Sequence, residues 1–245
     1  MAELELPKLA VRVRFPSPAP TQAQVNRHAH PGRGSHAGAG GEPAARRVGW
    51  GFISLYALAF ISTSLVFLAP LLVSLALKVN SLVGIEQAPN SLSVVTGIGA
   101  LLAMVGNPFF GRMSDRTSSR LGMRRPWMVI GLVGGSLGIL VVALAPSIPV
   151  VLVGWCIAQL LFNALLAALV AVLPDQVPVT QRGLVAGVLG VCVPVASVSG
   201  TFLVKLFTGN QLAMFLAPCA VGGLFILLFA VTLDDRRLAR ADKPA

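Results

Sequence analysis

Residues 111–127 read G-R-M-S-D-R-T-S-S-R-L-G-M-R-R-P-W, and this stretch decides the fold. It packs five arginines and one aspartate between two long apolar runs, and it is the densest block of charge outside the two ends of the chain. A loop of that composition, set between segments that water would not tolerate, places the chain in a membrane.

The composition agrees. Of 245 residues, 55% are hydrophobic and 11% charged, and the mean hydropathy is +0.80; a soluble globular domain carries about 25% charged residues. A net charge of +10 raises nucleic acid as a partner. The basic residues, however, are divided between the ends and one loop instead of covering a soluble face, so nucleic acid is excluded. Cys156, Cys192 and Cys219 each sit alone in an apolar run and read as packing residues, and His28, His30 and His36 lie together in a polar segment. No cofactor or metal site is expected.

Six apolar runs lie at residues 50–77, 92–110, 127–144, 150–173, 184–207 and 212–233, each near the ~20 residues that a spanning helix needs. The expected fold class is therefore an all-α membrane protein of six transmembrane helices. Residues 1–47, rich in Pro, Gly, Ala and Arg, form a polar tail without periodic apolar pattern and are expected to be disordered. Within them V-R-V-R-F-P-S-P-A-P at 11–20 resembles a transfer RNA gene end read as protein. A start placed too far upstream and an ordinary disordered tail both account for it. Residues 48–233 form the transmembrane domain, and 234–245 a short polar tail.

Orientation follows from Lys and Arg in the short loops. Arg46 and Arg47 precede the first run, five arginines fill the second loop, Arg182 lies in the fourth, and Arg236, Arg237, Arg240 and Lys243 follow the sixth. The alternate loops are nearly neutral, with Lys78 offset by Glu86 in the first. Both termini and the loop at 111–127 are expected on the cytoplasmic side of the plasma membrane. Gly131, Gly134, Gly135 and Gly138 in the third run, and Gly183 and Gly187 in the fifth, are spaced for close helix packing, expected inside one bundle.

The order of residues in the loop says more than its charge. Gly111 closes the second run, Ser114-Asp115-Arg116 follows, then Arg120-Leu121-Gly122, then Arg124-Arg125-Pro126-Trp127 opens the third. This resembles the signature loop between helices two and three of the major facilitator superfamily, and its longer form resembles the sugar-carrying branches, such as the sucrose carriers and glycoside cation symporters. The segment from Pro174 and Asp175 to Gln181, Arg182 and Gly183 echoes the family's fourth loop. The resemblance implies a gating loop made of Gly111, Asp115, Arg116, Arg120, Gly122, Arg124 and Arg125. There Gly111 permits a close helix crossing, Asp115 faces a helix N-terminus of the other half of the carrier, and the arginines form ion pairs that break and re-form. It also implies a two-half architecture of which this chain supplies the first six helices, as a truncated product or as a half-carrier completed by a second half or a homodimer. Met123 departs from the family, which usually has another basic residue there. The fourth run has Trp155, Gln159 and Asn163 where many proton-linked carriers place an arginine.

Tyr56, Asn107, Gln159 and Asn163 are candidate residues of a substrate path for a sugar-like or other small polar solute, by their capacity to bond hydroxyls. Ser62, Thr63, Thr96, Ser197, Ser199 and Thr201 are of the same chemical kind, and all of these also serve as ordinary helix-packing groups. No Asp, Glu or Arg falls within the six runs, so no intramembrane carboxylate offers a coupling-ion site. A six-helix channel is the alternative, but the runs hold no arginine series or acidic ring. An enzyme would need a nucleophile with a base, paired acids or a metal cluster, and none is present in the runs.

Overall fold

Proline and glycine set the boundaries of the helices. The computed structural model describes residues 47–117, 119 and 122–233; the two polar tails expected from the sequence lie almost wholly outside them. Helix α1 (Trp50–Ala69) runs into a π-helical turn at Pro70–Ser74, where the backbone N–H of Leu75 bonds the carbonyl of Pro70. Proline lacks an N–H and its ring crowds the carbonyl one turn back, and the wider turn absorbs both. Helix α2 (Leu75–Arg116) follows directly and is kinked at Gly84. Helices α3 (Arg125–Leu144), α4 (Ile148–Gln176), α5 (Val179–Leu206) and α6 (Gln211–Thr232) follow, and α6 is capped by the Asn210 side chain, which accepts from the N–H of Ala213.

Five helices are long and apolar enough to cross a membrane, because the first two runs of the sequence fall in one helical stretch, Trp50–Arg116, of 67 residues. The segment at 78–91, expected as a loop, is helical on either side of a kink at Gly84. Its one internal departure from helical geometry is Gly84, with φ 77° and ψ 167°, a backbone conformation in which only glycine is comfortable. Gly84 therefore divides the stretch, with helical residues on both sides of it.

Lys78 is drawn inward by this continuation. It is 5% exposed, and its Nζ donates to the carbonyl of Ala143 at 3.0 Å. The carbonyl belongs to the last turn of α3, where a cation is favoured by the helix dipole. Glu86, its expected counterweight, is exposed.

The helices pack within one unit, Ala44–Ala245. The tightest seam joins α3 and α4. A Cβ on Gly138 would come within 2.6 Å of the Ala158 nitrogen, and one on Gly131 within 2.6 Å of the Leu161 carbonyl oxygen, so these glycines let two backbones touch. Gly99 of α2 lies under the Trp155 indole of α4, and Gly222 of α6 meets the backbone of Ser62 in α1. Three glycines of α5 differ: a Cβ on Gly183, Gly187 or Gly190 would meet nothing within 4 Å, whereas one on Gly200 would lie 3.0 Å from the Ala69 Cβ of α1. Intra-bundle packing thus accounts for the glycines of the third run and not for those of the fifth. Only 28% of the apolar window of α5 is buried, against 44–56% for the other helices.

Candidate functional site

The turn between α2 and α3 is built around Gly122, whose φ of 106° reverses the chain after a bond from its N–H to the Ser119 carbonyl. A side chain at this position would be strained, which gives Gly122 a geometric role. The reversal delivers Arg124 to the N-terminus of α3, where it is 4% exposed.

Arg124 ties three helix ends together. Its Nη1 lies 2.7 Å from Asp115 Oδ1 and donates to Ser114 Oγ at 3.0 Å, both in the last turn of α2. Its Nε donates to Asp175 Oδ2 at 2.9 Å, in the last turn of α4. Each charge stands at the unfavourable end of its own helix: two carboxylates at C-termini and a cation at an N-terminus. Their mutual pairing offsets that cost. The Arg124 guanidinium is buried, whereas the Asp115 side chain remains 53% exposed, so a second contact can reach the aspartate while the arginine stays in place.

Neighbouring groups hold this end of the bundle. Arg125 donates to the carbonyls of Val231 and Leu233 at the end of α6, a favourable place for a cation. Arg182 donates to the Pro174 and Val177 carbonyls at 2.9 and 3.0 Å and caps α4. Trp127 Nε1 donates to Thr117 Oγ1 at 2.7 Å, and Gln181 exchanges two hydrogen bonds with the backbone of Val48. Arg116 is exposed beside a cleft of about 530 Å³ lined by Val105, Pro108, Phe109, Arg112 and Met113. Arg120 lies outside the described residues. A Cβ on Gly111 would meet nothing within 4 Å, so the close crossing expected of it is not made with any described helix.

A family model described as the Major Facilitator Superfamily matches residues 52–245. The chain belongs to this superfamily. It is a family of transporters, so the chain is a multi-pass membrane transporter of the major facilitator type. No individual curated protein matches it.

Within this major facilitator chain the expected path residues are not gathered at one surface. Tyr56 is fully buried; its hydroxyl donates to the Leu169 carbonyl at 2.9 Å and its ring stacks on Phe229 at 5.4 Å. Gln159 and Asn163 are buried on α4, with Asn163 Nδ2 donating to the Gln159 carbonyl at 2.7 Å. Gln159 packs near Gly99, and Asn163 near Gly106, at the seam with α2. Asn107 is half-buried on α2.

Ser114 and Asp175 were visible in the sequence only as parts of motifs. The signal for Asp175 is a lone acid at the end of an apolar run, on the side where the positive-inside pattern places the arginine loop.

Proposed function

We propose that the chain forms a six-crossing bundle, the N-terminal half of a major facilitator carrier for a small solute, and that the loop at 111–127 is the latch of its cytoplasmic gate. The observation that carries this reading is the double ion pair of Arg124, which makes three helix ends move as one. The break at Gly84 supports two crossings within Trp50–Arg116, since helical geometry is interrupted there and an apolar run lies on each side of it, at 50–77 and 92–110. With two crossings there, the termini and both arginine-bearing loops fall on one side, as the positive-inside pattern requires.

The uncovered face of α5, with open space at Gly183, Gly187 and Gly190, supports a second bundle packed against this one. In that arrangement Asp115 presents its exposed oxygens to a helix N-terminus of the second bundle. A carboxylate there gains about 0.3–1 kcal/mol at an exposed site. That is enough to bias two states and too little to lock either. The longer form of the loop supports the sugar-carrier branch.

The latch is tested by the rate at which a cysteine at Ser64, deep in α1, is alkylated from the cytoplasmic side of membrane vesicles. Arg124→Gln is expected to raise that rate severalfold by releasing the three helix ends. An unchanged rate in a variant of normal helicity removes the latch.

A further inference from the structure

Three arginines at the loop end of the bundle are engaged inside the protein. Arg124 holds two carboxylates, and Arg125 and Arg182 donate to carbonyls at helix ends. Arg112 differs: it is exposed and makes no hydrogen bond or ion pair among the described residues. Four residues on, Arg116 lies on the same face of α2, and both line the cleft of about 530 Å³ whose other walls are Val105, Pro108, Phe109 and Met113. Residues 92–114 hold no acid, so no carboxylate from that part of α2 neutralises the pair. Asp115 stands about 100° around the helix from Arg116 and is paired with Arg124, which keeps the latch and the cleft apart.

The chemistry of the cleft changes along the helix axis. Val105 and Phe109 are 63% and 56% exposed and belong to the apolar run that ends at Phe110, whereas the two arginines follow that run. From Val105 to Arg116 is ~16 Å along the axis, about half of the ~30 Å hydrocarbon layer. A pair of cations at the edge of the layer, above an apolar wall one leaflet deep, matches one phospholipid in polarity and length. The guanidinium groups would meet the phosphate, which they pair through parallel N–H donors, and an acyl chain would lie along Val105 and Phe109. An acidic peptide or a free phosphate would match the charge alone and leave the apolar wall uncovered.

We propose that this cleft is a binding site for an anionic phospholipid, its headgroup held by Arg112 and Arg116. Its placement in the cytoplasmic leaflet rests on the orientation proposed above; its preference for an anionic headgroup does not.

The test uses the full chain in detergent micelles with equimolar dioleoylphosphatidylglycerol and dioleoylphosphatidylcholine, bound lipid being counted by native mass spectrometry. The two lipids share their chains and differ in net charge. The phosphatidylglycerol adduct is expected to exceed the other about five- to twenty-fivefold, the span for one to two arginines near an anionic surface. Arg112→Gln with Arg116→Gln is expected to bring the adducts to near parity, and Arg112→Lys with Arg116→Lys to keep most of the preference, since lysine binds phosphate as a point charge. Arg46→Gln with Arg47→Gln removes the same charge elsewhere and should keep it too. Equal adducts in the parent, an equal loss in the Arg46 and Arg47 variant, or displacement of the lipid by equimolar glycerol phosphate, which has the charge without the chains, overturns the proposal. So does a loss of dimer, in place of lipid, from the Arg112 and Arg116 glutamine variant, which would make the cleft a protein interface. The assay requires no transport. A phosphatidylglycerol preference alongside unaltered Ser64→Cys alkylation in Arg124→Gln would leave the lipid site standing and remove the latch; the converse pattern would remove the lipid site alone.

Discussion

Arg124 Nε lies 2.9 Å from Asp175 Oδ2, joining the start of α3 to the end of α4 across 51 residues of sequence. The same guanidinium holds Asp115, so its removal strands two carboxylates at helix C-termini, where the dipole already disfavours them.

Truncating one partner of a fully buried pair costs about 3–5 kcal/mol. Here the carboxylates are 53% and 28% exposed, and solvent screens much of the loss. Arg124→Gln is therefore expected to destabilise the bundle by about 1–2 kcal/mol. Asp175→Asn should cost more than Asp115→Asn, because Asp175 is the less exposed of the two. Thermal unfolding in detergent micelles checks the order, and an equal or reversed ranking would show that Asp115 is the principal partner. Arg124→Lys should not restore the parent, since an ammonium cannot fork between two carboxylates and a hydroxyl.

The glycines divide into two behaviours. Gly138→Ala drives a methyl into the backbone of α4 and is expected to destabilise by about 1–3 kcal/mol. Gly187→Ala meets open space and should be neutral or stabilising by up to ~1 kcal/mol, since alanine is the better helix former. Unfolding midpoints of the two variants decide this, and a destabilised Gly187→Ala would mean that something already covers that face of α5.

The buried aromatic group should behave as structure and not as binding surface. Tyr56→Phe removes the hydrogen bond to Leu169 but keeps the ring on Phe229, for an expected loss of about 0.5–1.5 kcal/mol. Thermal unfolding in detergent micelles checks this, and an unchanged midpoint would show that the Tyr56 hydroxyl adds nothing to the bundle.

How much of this was legible in the sequence follows from what is one-dimensional about it. Hydropathy and charge run along the chain, so the apolar runs, the arginine loop and the family resemblance could be read directly. Whether two runs are joined by helix or by loop depends on one residue, Gly84, whose left-handed conformation no composition reveals. The direction in which a side chain faces is equally hidden: Tyr56, a candidate for a path or for helix packing, is buried against Phe229, and Lys78 reaches the last turn of α3. Gly131 and Gly187 have the same spacing pattern and different surroundings, because spacing marks a face of a helix but does not say what covers it. Asp175 stands out in the sequence as a motif residue, yet its pairing with Arg124 emerges only when α4 is long enough to carry it past Pro174 to the end of α2.

The account depends most on Trp50–Arg116 crossing the membrane twice, so that the Arg124 cluster faces the cytoplasm. Single cysteines at Gln87 and Thr117, introduced after replacement of Cys156, Cys192 and Cys219, should be treated with a membrane-impermeant maleimide in intact cells. The account predicts that Gln87→Cys is labelled from outside and Thr117→Cys only after permeabilisation. Labelling of Thr117→Cys in intact cells, or of both positions from the same side, would contradict it.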